Sequence, residues 1–371
     1  MDASTFSPSI ASVNDLRILL RMRDGPFLSV YSSPNTFAQT LTNALDTLRR
    51  RNGRRDDAFS HIARRLRSES IDAHRSHKTE LSSPVGTACF VTPDKSVLLA
   101  LPIPVTAQVV LGKAPFLGPL LTLFHPSYIV GLYLSQQGAH AIQRFGDWQA
   151  HRRLNVPPPG DDAHSRQSAM ASKGSVFQWL TAVDRSLDPI LPCRHHTVVL
   201  IGPPDLIEAY ASVNVHRSVI WGGKLPTAAC PDVNVLLEII TATAQDNARS
   251  HITGDLRVLE ETRSAAPKRY LADAHKILEE AAARRVDTLF VRRTRRRSTP
   301  SIAFAGTSAD AQAPSSDEVH EPAPCVDVAP PDLDERIEAA MAHTIVSGGT
   351  VHEVTDAKLA ANAPMTAVLR Y

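Results

Sequence analysis

The sequence predicts an α/β (α+β) multidomain protein built from three blocks, and three observations lead there. Its 371 residues correspond to two or three domains of ordinary size. Short β-like apolar runs separated by turn residues recur along the chain. Between them lie amphipathic stretches with apolar residues at helical spacing, and strands mixed with helices in this way fit sheets covered by helices.

The first block contains "PFLSVYSS", a short strand ending at Ser33 and Pro34. "TFAQTLTNALDTLRRR" follows, with Phe37, Leu41, Leu45 and Leu48 spaced for one helical face. A basic helix, "HIARRLRSES", leads to the strands "GTACFVT", "SVLLALPI" and "AQVVLG", and "APFLGPLLTLFH" completes a domain expected over residues 1–125.

The second block, expected over 126–263, opens with "SYIVGLYLSQQGAHAIQRFGDW", a hairpin turning at Gly138. A third extended piece, "RRLNVPPP", precedes the polar loop "GDDAHSRQSAM", residues 160–170. Then comes a helix with Val176, Trp179, Leu180, Val183 and Leu187 on one face. The strand "HHTVVLIG", a helix entered through Pro-Pro-Asp and a long helical stretch from about Pro231 to Leu259 complete the block.

In the third block, 264–371, "YLADAHKILEEAAARR" places Leu271, His275, Leu278 and Ala282 on one predicted helical stripe before the strand "VDTLFV". Residues 298–331, rich in Pro, Ala and Ser, read as a disordered insertion. The helix "DLDERIEAAMAHTIVSGG" stops at Gly348 and Gly349, and the strands "TVHEV" and "MTAVLRY" follow.

Composition narrows the function classes. With 43% hydrophobic and 21% charged residues and a net charge of +2, the chain is ordinary for a globular protein, so nucleic-acid contact would need a local patch. Cys89, Cys193, Cys230 and Cys325 form no CxxC pair, which argues against zinc and for idle thiols in a reducing compartment. No basic leader with an apolar core and no long apolar run is visible, so a cytoplasmic location without membrane contact is expected.

Chemical signatures are sparse. There is no GxGxxG or GxxxxGK[ST] loop, no cofactor or metal is expected, and the adjacent His195 and His196 should point to opposite faces at a strand start. Asp184 and Asp188 belong to a helix face and its end, where they cannot form the paired acids of a metal-dependent nuclease. His164, Ser165 and Ser168 are neighbours only in sequence, whereas a Ser-His-Asp triad draws on separate elements. The run "RRTRRR" supplies Arg292, Arg293, Arg295, Arg296 and Arg297, which could bind RNA phosphates or form a solvated strand exit. "RRLR" in the first block and "HRR", His151 to Arg153, strengthen the RNA reading only if the fold gathers them on one face.

Three separated segments, in this order, carry a family resemblance: "FLSVYSSP", "ILEEAAARRVDTLFV" and "DLDERIEAAMAHTIVSGGTVHEVTDAKLAANAPMTAVLRY". Together they resemble the bacterial relatives of archaeo-eukaryotic peptide chain release factors and Pelota. The resemblance implies a ribonuclease-H-like middle domain whose exposed loop carries Gly-Gly-Gln. Here "HSRQSAM" stands in that place, so Gln167 matches the glutamine, Ser168 follows it, and Ser165 and Arg166 replace the two glycines. It also implies a C-terminal α/β sandwich similar to a kink-turn-binding ribosomal protein, serving to dock a partner protein or rRNA.

A neutral amide can orient water for attack on the peptidyl-tRNA ester without titrating. Glycines permit positive φ and close approach to RNA, which Ser165 and Arg166 do less readily, although Arg166 can contact phosphate. The Asn-Ile-Lys-Ser signature of stop-codon reading is absent. The implied function is therefore ribosome binding and peptidyl-tRNA hydrolysis in ribosome rescue. The alternative is a non-catalytic ribosome- or tRNA-binding factor.

Overall fold

The computed structural model describes residues 9–22, 27–52, 85–92, 95–158, 173–192, 196–214, 218–224, 232–292, 333–354, 359 and 363–371. These residues form three sheets, each with its own helices.

The first sheet contains β1 (Ser9–Ile10), β2 (Phe27–Ser32), β3 (Gly86–Val91), β4 (Ser96–Leu101) and β5 (Gln108–Gly112) in the order β1-β4-β3-β2-β5. Only the β1–β4 pair is parallel. Between β1 and β2 lies α1 (Val13–Arg21), which the periodicity reading above does not include. Its start is a capping box: Asp15 Oδ2 accepts from the Ser12 backbone N–H at 2.9 Å, and Ser12 Oγ accepts from the Asp15 N–H at 3.4 Å. After β2 comes α2 (Phe37–Asn52), which lays Phe37 and Leu41 over Leu28, Val30, Cys89 and Val109. A short α3 (Gly118–Leu121) ends the unit.

The second sheet comprises β6 (Tyr128–Ser135), β7 (Gly138–Phe145), β8 (Trp148–Arg153), β9 (Val198–Gly202) and β10 (Val219–Lys224), in the order β10-β9-β6-β7-β8. Strands β6, β7 and β8 form an antiparallel meander, whereas β9 and β10 run parallel to β6. The third extended piece is thus Trp148–Arg153, slightly earlier than "RRLNVPPP", and β10 is a strand for which the sequence reading made no provision.

One face of this sheet is covered by α4 (Lys173–Ser186) and α5 (Pro204–Val213), which supply Trp179, Leu180, Val183, Ile207 and Tyr210 to the core. The apolar face expected of α4 is the one buried, with Leu187 also enclosed just past its end.

Helix α6 (Val233–Ala265) covers the opposite face and continues to the third sheet. Near its start, Leu236, Leu237 and Ile240 sit on Ile129, Tyr133, Val199 and Ile201. Near its end, Leu259 joins Phe290, Val354 and Val368, so a single rigid rod serves two sheets. Gly131 makes the first contact possible, because a Cβ there would lie 2.2 Å from Ile240 Cδ1.

The third sheet has the order β11-β14-β12-β13, from β11 (Tyr270–Leu271), β12 (Val286–Arg292), β13 (Thr350–Val354) and β14 (Met365–Leu369). Here the predicted helical stripe is corrected. Leu271 belongs to β11, helix α7 runs Ala274–Ala282, and its buried residues are Ile277 and Ala281, with His275 and Ala282 exposed. Asp273 caps α7 by accepting from the backbone N–H groups of His275 and Lys276, which shifts the periodic face by two residues from a start at Leu271. The Lys276 N–H bond first, and the His275 bond with it, hold the Asp273 carboxyl below its ordinary range.

Helix α8 (Leu333–Val346) ends where predicted. Gly348 takes φ +76°, and a Cβ on Gly349 would lie 2.7 Å from the Asp287 carbonyl oxygen.

The three units are fused rather than strung. Leu16 and Leu19 of α1, Leu120 of α3, Val130 of β6, Leu289 of β12 and Met341 of α8 belong to one continuous apolar cluster. Glu338 of α8 reaches α3, where Oε2 accepts from the backbone N–H groups of Leu117 at 3.1 Å and Gly118 at 3.0 Å. A carboxylate at a helix start satisfies donors that have no partner within the helix.

Candidate functional site

Gln167, with Ser165, Arg166 and Ser168, lies outside the described residues, in the segment between Pro158, beyond β8, and Lys173, the first residue of α4. Arg293, Arg295, Arg296 and Arg297 also lie outside them, as do "RRLR", the insertion 298–331, His195, Cys193, Cys230 and Cys325. Arg292 closes β12, half-buried, with its backbone N–H donating to the Pro364 carbonyl at 2.9 Å.

His151, Arg152 and Arg153 sit on β8, the edge of the second sheet, and therefore on a different sheet from Arg292. There His151 stacks on His140, ring centroids 5.0 Å apart, and Arg153 Nη2 donates to the Gln137 carbonyl. Burial first, then the charges of His151 and Arg153, lower the pKa of His140.

Asp184 is half-buried and accepts from the Tyr210 hydroxyl at 2.7 Å, so it ties α4 to α5. Cys89 is buried and unbridged, and burial pushes its thiol up to about 12, an inert group. Among the described residues no group of three or more His, Cys, Asp or Glu side chains could hold a metal ion. Nor is any helix among them long and apolar enough to cross a membrane.

A feature that local sequence did not signal is a cavity of about 960 Å³ among the described residues, at the junction of the three units. Its wall includes Ser12 and Arg17 of α1, His125 and Tyr128 before and in β6, His196 and Thr197 before β9, Asn247, His251 and Asp255 of α6, and Ser347 to His352 around the start of β13. Five stretches distant in the chain converge here, and three nitrogens of their residues are enclosed without a hydrogen-bond partner in the protein: Arg17 Nε, His196 Nε2 and His352 Nδ1. Buried polar groups are rarely left so.

Each ring has a fixed orientation. His352, 4% exposed, brings Nε2 to Asp255 Oδ2 at 2.6 Å. A carboxylate can only accept, so Nε2 carries the proton. His196 lies 5.2 Å from the Tyr128 ring and bonds to the Tyr128 backbone. Burial pushes its pKa down to about 4, partly opposed by that bond. The residue keeps some exposed area, yet Nε2 is fully enclosed, so desolvation of the ring nitrogen governs and the imidazole is neutral near pH 7. Tyr128 is likewise held neutral, its pKa raised by burial, with its hydroxyl donating to the Ile190 carbonyl at 2.7 Å and accepting from Gln143.

No protein-family model matches the sequence, and no curated protein does. Among solved structures the chain is similar to translation termination and termination-like factors. The archaeal translation termination factor aRF1 shares 14% identity at a TM-score of 0.23, with 98% of this chain and 99% of that one covered. Ribosome-bound archaeal Pelota, in a structure with ABCE1, shares 11% at 0.33, covering 98% and 95%. Dom34 of S. cerevisiae, a translation termination-like factor of RNA quality control that interacts with Hbs1, shares 11% at 0.38, covering 80% and 76%. Whole-chain superposition is loose in each case, so the functional reading rests on this chain's own strand order and residues.

Proposed function

We propose that this chain is a release-factor-like translation factor that binds the ribosome and hydrolyses the peptidyl-tRNA ester in ribosome rescue, with Gln167 positioning the water. The observation that carries the reading is the second sheet: an antiparallel meander β6-β7-β8 followed by two parallel strands, in the order β10-β9-β6-β7-β8. That order supports the ribonuclease-H-like middle domain that the resemblance implies, and in sequence the Gln167 segment falls between the edge strand β8 and α4, consistent with the family pattern. The proposed domains are 1–125, 126–263 and 264–371, with the second boundary in the last turn of α6.

Gln167 acts as a neutral hydrogen-bonding group that aligns water with the ester carbonyl where bulk water is excluded. Ser165, Arg166 and Ser168 contact RNA beside it. The arginines Arg292, Arg293, Arg295, Arg296 and Arg297 add phosphate contacts from the third domain, which docks a partner protein or rRNA. Such a protein works in the cytoplasm.

A second reading has a specific observation in its favour. Ser165 and Arg166 stand where glycines permit close approach to RNA, and a binding factor without hydrolysis would tolerate them. Two measurements separate the readings. Co-sedimentation with ribosomes over a salt series should show binding that weakens steeply with salt, and no binding at low salt would overturn both. Peptide release that is lost in Gln167→Ala while binding remains supports the hydrolase; binding without release in the parent protein supports the second reading.

A further inference from the structure

Helix α6 does not cover its face of the second sheet out to the edge. It packs on β6, β9 and Ile142 of β7, and beyond that line side chains of β7 and β8 face solvent. The register fixes which ones. Arg144 pairs with Gln149, Ile142 with His151 and His140 with Arg153, and cross-strand partners share a face. Tyr133, in the cluster under α6, is the β6 partner of His140, so this strip belongs to the α6 face. Gln149, His151 and Arg153 are exposed, and Arg144 and His140 are half-buried. The strip thus has a guanidinium at each end, four register positions or roughly 13 Å apart along the strands. Between them His140 Nδ1 and His151 Nε2 lie 2.9 Å apart, a bond that joins the two strands.

Neither guanidinium meets a carboxylate among the described residues. Arg144 donates to the Gly146 carbonyl and the Thr241 hydroxyl, and Arg153 to the Gln137 carbonyl, all neutral acceptors. From Gly138 to Arg153 the chain holds one acid, Asp147, in the turn between the strands. Glu238 of α6 is exposed and bonds to neither arginine. Large exposed apolar side chains such as Phe177 and Val235 have no counterpart on β7 or β8. Protein interfaces centre on aromatic and aliphatic side chains, whereas nucleic-acid interfaces are polar and positively charged, which is the composition of this strip.

We propose that the β7–β8 strip is an RNA-contact surface on which Arg144 and Arg153 each hold a backbone phosphate, with Gln149 and His151 bonding to the sugar–phosphate chain between them. The choice of RNA rests on the ribosome-binding reading above, but the surface does not depend on Gln167. Such contacts read no sequence and weaken with salt. Cations on an edge strand also deter pairing with another chain. That role is indifferent to the face, and Arg152, half-buried on the opposite face of β8, would serve it as well as Arg153.

The test uses the full-length protein with oligouridine, an RNA hairpin of unrelated sequence and oligoglutamate as probes, by fluorescence anisotropy over a salt series. Both RNAs should bind. Arg144→Gln together with Arg153→Gln should weaken that binding about tenfold. On oligouridine the slope of log affinity against log salt should shrink by about 0.7 for each arginine removed. Arg153→Gln alone reads the same change in slope should loss of the Arg144 bond to Thr241 disturb the fold. Arg152→Gln removes the same charge from the other face and should leave affinity and slope at the parent values. Parent-like RNA binding by the double variant, an equal effect of Arg152→Gln, or oligoglutamate binding that depends on the same two arginines would each overturn the proposal. No binding of either RNA by the parent protein would overturn it too, and would leave ribosome binding to its own salt series. RNA binding that depends on this face, without peptide release, would support it and remove only the hydrolase reading.

Discussion

His352 of β13 and Asp255 of α6 meet across two units, Nε2 to Oδ2 at 2.6 Å, with the imidazole 4% exposed and the carboxylate at the cavity wall. The bond holds the third sheet to the helix that also covers the second, and it fixes which face of the ring the cavity meets. Asp255→Ala removes the acceptor and leaves a buried ring donor unsatisfied. That variant should lose about 1–3 kcal/mol of stability, measured by urea unfolding. An unchanged midpoint would show that the pair does not contribute to holding the units together.

Glu338 makes a comparable tie between α8 and the start of α3. Glu338→Ala should cost about 1–3 kcal/mol, since two backbone donors lose a carboxylate. Hydrogen exchange should show the loss first at the Leu117 and Gly118 amides, and full protection there would contradict the assignment.

Gly131 is a packing requirement. An alanine Cβ would lie 2.2 Å from Ile240 Cδ1, 2.7 Å from Cγ1 and 3.1 Å from Cγ2, so the packed Ile240 side chain or its helix must shift to admit it. Gly131→Ala should therefore cost about 1–3 kcal/mol. In a double-mutant cycle with Ile240→Ala, the double variant should cost less than the sum of the singles, whereas additive losses would mean the clash is relieved elsewhere.

These contacts show what the sequence made legible. The β-like runs and the α4 stripe of Trp179, Leu180 and Val183 were readable because burial on one face repeats at a fixed local period. Helix α1 carries a local signal, Ser12 followed three residues later by Asp15, but its nine residues give a shorter periodic stripe than the neighbouring α2 does. The stripe expected from Leu271 fails because the helix phase begins only at the Asp273 cap, two residues later. The cavity had no local signal at all. Arg17, His196, Asp255 and His352 are brought together only by the packing of three units, and a strand-start histidine such as His196 is unremarkable until its ring nitrogen is seen enclosed.

His196 also predicts a pH dependence. Its folded pKa is lowered from 6.5 to about 4, so below pH 6.5 the unfolded chain binds a proton that the folded chain does not. Stability from this group is fully present above pH 6.5 and is lost as pH falls towards about 4, by about 1–3 kcal/mol given the residue's residual exposure. His196→Phe should flatten the stability profile across that window. A profile identical to that of the parent protein would mean the ring is solvated in the folded state.

The central claim is ester hydrolysis by the loop that carries Gln167. Its most direct test is release of labelled peptide from purified ribosomal complexes holding peptidyl-tRNA, with the A site empty or displaying a stop codon, comparing the parent protein with Gln167→Ala. The account predicts release by the parent protein, best with the empty A site, and a fall of about a hundredfold or more in the variant with ribosome binding retained, as loss of an oriented reactant implies. Equal release by both proteins, or none by the parent protein while it still binds ribosomes, would contradict it.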